Sequence, residues 1–461
     1  MTRDPYRPCP ACEVSPMNDS TSLAAPAQLR ATMVPRGAWR VVVLLMVVVG
    51  LGQFNRIAIS VAGAERIIRE NGIDATRMGQ IYSAFLLFYT LAMVPAGWLI
   101  DRFGARGALI GFCLGSAFFV AATAGVGLLS PSAFSLWLGL LVVRSLMGFV
   151  NAPLHPAAAG MVFAHVPARA KSLANGLVTF AACAGISATY YGFGALIDRL
   201  SWPTAFVVTA WITLAVAAIW TWGTRRLPTG SVDLPHSPAI SADQTHSVAI
   251  ERPPSATSVM LRRGVIWLAL SYACLGYFQY LFFYWIQYYI GTIQHLGDDV
   301  SRRYSTFITL TMGLGMIAGG WLADRAAGAD SSLARRRLVP LLGMIASGVV
   351  FEVGTASGDA TMMMATFTLS AGLLGMCEAA FWTTIVELGA PRGGLAAAVM
   401  NFGGNAGGLL SPIVTPWLSE KLGATYGTSV GWRVSLTVAG AVSILGALMW
   451  IGVKSPRVAG S

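Results

Sequence analysis

Apolar residues fall along this chain in runs of about twenty, divided by short charged or Pro/Gly-rich breaks. A helix needs roughly 20 apolar residues to cross the hydrocarbon core of a bilayer. Twelve runs meet that need. In the first half they lie near Gly37–Gly63, Gly79–Ile100, Gly107–Leu129, Phe134–Phe163, Ser172–Ile197 and Pro203–Gly223. In the second half they lie near Gly264–Gly291, Ser305–Ala323, Val339–Ala356, Thr361–Ile385, Ala396–Leu418 and Val430–Val453. Residues 1–36 are polar and proline-bearing with no apolar h-region, which predicts a disordered cytoplasmic tail rather than a secretory signal. Residues 224–262, rich in Pro, Ser, Thr and Asp, form the one long hydrophilic break inside the chain and predict a mobile cytoplasmic linker. The expected plan is an all-α membrane protein with twelve transmembrane helices and both termini cytoplasmic. One six-helix bundle covers 37–223, a second covers 263–453, and a short tail covers 454–461.

Composition supports this plan. Of the 461 residues, 55% are hydrophobic and 11% charged, against about 25% charged in an ordinary soluble domain. That balance leaves little room for a cytosolic or secreted enzyme. Fifty-one glycines and 14 tryptophans suit packed membrane helices with interfacial anchors. The net charge of +11 is one-sided. With both termini inside, the cytoplasmic segments hold 21 Lys/Arg and 10 Asp/Glu, and the outer loops hold 8 of each sign. The spans hold Arg56 and Arg144 against Glu352 and Glu378. The whole excess therefore sits on one face, as the positive-inside rule requires, and marks topology rather than a nucleic-acid partner. Six cysteines are scattered, four of them in apolar runs, and imply no disulfide framework. Cys9 and Cys12 form an isolated C-x-x-C in the tail, with no second pair to complete a metal or redox site.

The two sets of six runs echo each other. Gly97-Trp98-Leu99-Ile100-Asp101-Arg102 returns as Gly320-Trp321-Leu322-Ala323-Asp324-Arg325, 223 residues later. Trp202 and Trp220 return as Trp432 and Trp450, each 230 residues on. A duplicated six-helix unit with a site between its halves near the midplane is a transporter architecture.

The stretch Gly97–Arg106, G-W-L-I-D-R-F-G-A-R, is similar to the loop signature between the second and third helices of the major facilitator superfamily, with Ala105 replacing a basic position. Within that superfamily the chain most resembles the anion:cation symporter family of sugar-acid and other organic-anion carriers. The residues carrying the match are M-G-Q-I-Y-S-A-F at 78–85, F-N-R-I-A-I-S at Phe54–Ser60, R-S-L-M-G at Arg144–Gly148 and N-F-G-G-N-A-G-G-L-L-S-P at Asn401–Pro412. The resemblance implies alternating access and a small organic anion held between the halves. It also implies that Gly97, Asp101, Arg102, Gly104 and Arg106, with Asp324 and Arg325, form a cytoplasmic latch. The plainer reading of those charges is a solvated helix end.

An ionisable group inside a span is costly and points to a functional site. Arg56 lies too deep in the first run to snorkel easily, and its planar fork suits a carboxylate. The resemblance gives that position to the anionic substrate; the alternative is a structural partner of Glu378 or of helix carbonyls. Arg144 matches a family arginine and either contacts substrate or braces a helix pair. Glu378 either takes up a cation or proton during the cycle or offsets an arginine, and Glu352 reads as interfacial. The seventh run carries Gln279, Tyr280 and Tyr284, whose amide and hydroxyls beside aromatic faces suit a polyhydroxylated ligand. Tyr288 and Tyr289 are expected in an outer aromatic belt. Asn401 and Asn405 lie four apart on one helix face among glycines, with Asn405 matching a substrate-binding position and Pro412 placed as a hinge.

Two positions depart from the family. Asn55 and Asn151 stand where acids usually carry the coupled proton, and asparagine cannot titrate. Coupling then runs through Glu378 or His155, uses Na⁺ instead, or is absent. No nucleotide motif or catalytic cluster appears. The sequence thus predicts a secondary transporter with no enzymatic activity and no cofactor or metal. Its partners would be an organic anion, a proton or sodium ion and membrane lipid, and it would sit as a monomer in a bacterial inner membrane. The alternatives are an uncoupled facilitator or a sensor that keeps the fold.

Overall fold

A computed structural model describes residues 36–167, 170–227, 256–328, 333–390 and 393–453. The expected tails 1–35 and 454–461, most of the linker, and Cys9 and Cys12 lie outside the described residues. Helices make up the fold, and no strand occurs among the described residues. The helices of twelve or more residues are α1 (Arg36–Ala62), α2 (Ala75–Leu91), α3 (Met93–Leu129), α4 (Ala133–Asn151), α5 (Leu154–His165), α6 (Lys171–Arg199) and α7 (Trp202–Gly223). They continue with α8 (Arg263–Tyr284), α9 (Asp298–Ala327), α10 (Leu338–Ala356), α11 (Ala360–Gly389), α12 (Gly393–Tyr426) and α13 (Thr428–Met449). Ten segments are long and apolar enough to cross a membrane. The 17-residue α2 and the proline-bearing α12 are the two long apolar runs outside those ten.

Local chemistry sets several boundaries. Asp74, Ser132, Ser201 and Asp359 accept main-chain N–H bonds at the starts of α2, α4, α7 and α11, each satisfying an otherwise orphaned donor. Gly104 breaks α3 internally, with φ of 74°, a conformation that glycine tolerates and L side chains avoid. The expected fourth run is cut at Ala152–Pro153, because proline cannot continue the hydrogen-bond ladder. The seventh bends at Trp285 (φ −118°, ψ −21°) and ends in a π-turn over Tyr289–Ile293. The eighth starts at Asp298, earlier than its apolar run, because Asp298 and Asp299 favour a helix N-terminus.

The helices pack by the same scheme twice. In the first group α1 lies against α6, α2 against α4, and α3 against α7; in the second, α8 lies against α12, α9 against α11, and α10 against α13. Small residues allow some of these approaches. A Cβ on Gly148 would overlap the Phe85 carbonyl, and one on Gly276 would overlap the Gly404 carbonyl. The groups meet chiefly along α2 with α12 and α6 with α9. Arg36 and Arg263 begin their helices at one end of the bundle, here the terminal end; Glu65, Asp198 and Arg302 meet at the other, the far end.

Candidate functional site

In the last third of α1, half-buried Arg56 donates from Nη2 to the Tyr280 hydroxyl of α8 at 2.5 Å. Its guanidinium carbon stands 5.3, 5.6 and 5.2 Å from the ring centres of Phe85, Tyr89 and Tyr280, distances at which a ring face attracts a cation. Arg144, fully buried on α4, donates to the Arg56 carbonyl at 2.7 Å and lies 2.9 Å from the Met147 sulfur. Among the described residues no carboxylate pairs with either arginine. The Nε of each is buried without a hydrogen-bond partner. Tyr284 stacks on Tyr82 at 4.8 Å and on Tyr280 at 6.0 Å, so an aromatic wall borders the two cations. Two unneutralised guanidiniums in a low-dielectric interior make a strong attractor for an anion.

The structure draws Arg56, Arg144, Tyr280 and Tyr284 into one contact network and places the other candidates outside it. Gln279 points to the Met312 sulfur of α9 at 3.6 Å. Asn401 and Asn405 face the Met93 sulfur at 3.7 and 3.8 Å, and Asn405 also donates to the Asn401 carbonyl. Glu378 accepts from the Tyr272 hydroxyl and from the Trp382 indole at 2.9 Å, and among the described residues it pairs with no arginine. His155 meets Gln53 at 2.8 Å, one turn of α1 from Arg56. Asn55 bonds Thr213 at 2.8 Å, while Asn151 bonds the Met147 carbonyl at 2.8 Å and Ser116 at 3.3 Å. Both asparagines thus tie helices together.

One expectation needs correction. Tyr288 and Tyr289 are buried against Trp432, with Tyr289 also near Phe367, rather than in the expected outer belt, because these rings pack them into the second group of helices. Glu352 is half-buried near the end of α10 and accepts from Thr437 of α13 at 2.9 Å. Pro412, expected as a hinge, lies inside α12 together with Pro416. Pro416 has no N–H to offer the Pro412 carbonyl, which accepts instead from the Trp285 indole at 3.3 Å.

The far end carries polar links that composition did not reveal. Arg302 of α9 grips buried Glu65, with bonds of 2.5 and 2.7 Å, and Asp198 of α6, with bonds of 2.5 and 2.9 Å. Gln287 adds a 2.7 Å bond to Glu65, Arg69 reaches Asp298 at 2.9 Å, and Glu420 caps Thr76 at 2.6 and 3.0 Å. Their partners lie more than 100 residues apart, so only the even sign balance of those loops hinted at them. At the terminal end Asp101, Arg102, Asp324 and Arg325 are exposed and join no ion pair among the described residues. Arg102 rests near Trp98 at 5.7 Å and Arg325 near Trp321 at 5.1 Å. Arg106 bonds Thr224 at 3.0 Å within its own group, and Gly97 and Gly104 flank the same corner.

The family model described as Major Facilitator Superfamily matches residues 42–388. The chain belongs to that superfamily. It is a multi-pass membrane transporter rather than an enzyme. A D-galactonate transporter of Escherichia coli O6:H1 is 25% identical to it, across 90% of this chain and 95% of the relative. A hexuronate transporter of Bacillus subtilis is 24% identical, across 84% of this chain and 89% of the relative. A bacterial homolog of the human lysosomal transporter Spinster, solved in an inward-facing and occupied conformation, shares the major facilitator fold. Its TM-score is 0.68 at 16% identity, covering 89% of this chain and 95% of that structure.

Proposed function

We propose that this transporter moves a small organic anion, a sugar acid or a related hydroxylated carboxylate, by alternating access. The observation that carries the reading is Arg56, a mid-span cation without a carboxylate partner among the described residues, bonded to Tyr280 across the two groups of helices. A substrate carboxylate completes that site, and hydroxyls find partners at Tyr280 and Tyr284. Relatives named for D-galactonate and hexuronate carry ligands of this chemistry. Gln279, Asn401 and Asn405 border the path, within reach after a rearrangement rather than in this state.

In this reading α2 with the start of α3, and α12, complete twelve spans, and the repeated packing scheme reflects two six-helix bundles joined by a linker. Both termini are cytoplasmic, in a bacterial inner membrane, and the protein acts as a monomer. The far-end bonds among Glu65, Asp198, Gln287 and Arg302 close the outer side, leaving the described state open inward. The Asp101–Arg106 corner and Asp324–Arg325 engage when the inner side closes. Transport is coupled to a proton or Na⁺ through Glu378, with His155 as the second candidate.

Reconstitution in liposomes tests this. Uptake of labelled galactonate and glucuronate is measured under a pH gradient, a Na⁺ gradient and no gradient, with wild type and Arg56→Ala. Saturable uptake that the substitution abolishes is expected. Equal uptake by both proteins would remove Arg56 from the site. Simple equilibration under every gradient would favour a facilitator.

A further inference from the structure

Two cavities open side by side where α7 ends. One, of about 270 Å³, is lined by Arg40 of α1 and by Trp222, Arg225 and Arg226. The other, of about 490 Å³, is lined by Arg106, Leu114 and Leu214, and shares Trp222 and Arg225 with the first. Arg40, Arg225 and Arg226 are exposed, and none makes an ion pair among the described residues. Arg106 is held in place by Thr224 and by the Thr221 carbonyl. The Arg225 guanidinium lies 5.2 Å from the Trp222 ring, and Trp222 is 64% exposed.

The chemistry changes across this corner. On one side stand guanidiniums, whose fork geometry suits phosphate. On the other, Leu114 and Leu214 present an open apolar wall on the flank of α3 and α7. Trp222 sits at the join, where an amphipathic ring marks the boundary of a bilayer. A free anion would use the rim and leave the wall bare; a neutral lipid would use the wall and leave the charges unmatched.

We propose that the two cavities form one binding site for an anionic phospholipid of the leaflet facing the chain termini. Its phosphate lies among Arg40, Arg225 and Arg226, and an acyl chain runs along Leu114 and Leu214. The site lies at the helix ends, away from Arg56, and does not depend on what the protein transports.

Native mass spectrometry of the full chain in detergent tests it, with added phosphatidylglycerol, phosphatidylcholine or inorganic phosphate. Wild type should retain phosphatidylglycerol in preference to phosphatidylcholine, and millimolar phosphate should fail to displace it. Each of Arg40→Gln, Arg225→Gln and Arg226→Gln should lower retention about fivefold, following the usual contribution of one basic residue near an anionic membrane surface. Arg263→Gln, which removes an exposed charge from the other group of helices, should leave the preference intact. Equal retention of the two lipids, displacement by phosphate alone, or unchanged retention in the three arginine variants would each overturn the proposal.

Discussion

Arg144 donates a 2.7 Å hydrogen bond to the main-chain carbonyl of Arg56, so one buried arginine fixes the segment of α1 from which the other projects. Both guanidinium carbons lie within 5.3 Å of the Phe85 ring centre. The like charges are tolerated at this spacing because ring faces and main-chain carbonyls surround them. Arg56 has its hydroxyl partner on the opposite group of helices, whereas Arg144 turns back onto its own. In the proposed function that difference would make Arg56 the substrate contact and Arg144 its positioning residue.

Replacing Arg56 with alanine removes the charge that faces the opposing helices. Losing one member of a buried charged pair costs about 2–5 kcal/mol, so uptake at subsaturating substrate should fall roughly thirtyfold or more. Tyr280→Phe removes a single hydroxyl and should cost about 1 kcal/mol, roughly fivefold. Initial-rate uptake across a range of substrate concentrations measures both.

Arg144→Met keeps the length of the side chain and removes its charge. A brace that mattered mainly for stability would lower the melting temperature when lost. A buried cation without a counter-ion is instead a cost to the fold, and an apolar replacement is often neutral or stabilising. Thermal stability should therefore stay within about 1 kcal/mol of wild type, while uptake falls because α1 is no longer oriented. Melting curves and uptake on the same preparation decide it.

The membrane class, the helical fold and the family were legible in the sequence, because apolar run length and a ten-residue loop signature are local properties. Arg56 and Tyr280 were legible singly, as polar groups in apolar runs. Their pairing was not, since 224 residues separate them. The same holds for Glu65 and Arg302, which looked like ordinary loop charges until packing joined them across 237 residues. Tyr288 and Tyr289 misled because a belt tyrosine and a buried one have the same sequence neighbours, and only their packing on Trp432, more than 140 residues away, tells them apart.

Helix contact can be tested at two glycines. Gly148 faces the Phe85 backbone so closely that an added methyl must push the helices apart. Gly148→Ala should destabilise by about 1–3 kcal/mol. Gly125→Ala, where a Cβ would meet open space, should be neutral or slightly stabilising. Thermal denaturation in detergent compares the two.

Removing the charge of Glu65 should loosen the far end. Glu65→Gln keeps the shape but removes one of the two carboxylates that Arg302 grips, leaving Asp198 paired, a loss of charged hydrogen bonds worth about 1.5–3 kcal/mol. The population open on that side should rise roughly tenfold or more. A cysteine introduced at Ser60, which is buried and bonded to the Phe283 carbonyl, reports it. A membrane-impermeant maleimide applied to the far side should label that cysteine much faster in the Glu65→Gln background. Unchanged labelling would mean that helix packing alone, not the ion pair, closes the far end.

The proposed coupling through Glu378 can be tested directly, because the two asparagines are committed elsewhere. Asn55 is held by Thr213 and Asn151 by Ser116 and the Met147 carbonyl, so neither is poised to pass a proton. Glu378 is held by Tyr272 and Trp382, and among the described residues it pairs with no arginine. A carboxylate inside a span that is held by neutral donors rather than by an arginine is the group through which the proposed coupling is tested. Glu378→Gln copies the protonated form and cannot release it. The variant should exchange substrate across the membrane at near wild-type rate, because exchange needs no net movement of the coupling ion. It should lose accumulation driven by an ion gradient, falling to simple equilibration. Counterflow and gradient-driven uptake, measured side by side, separate these. His155→Asn serves as the comparison: if it, rather than Glu378→Gln, loses accumulation while keeping exchange, the coupling site is the Gln53–His155 pair one turn from Arg56.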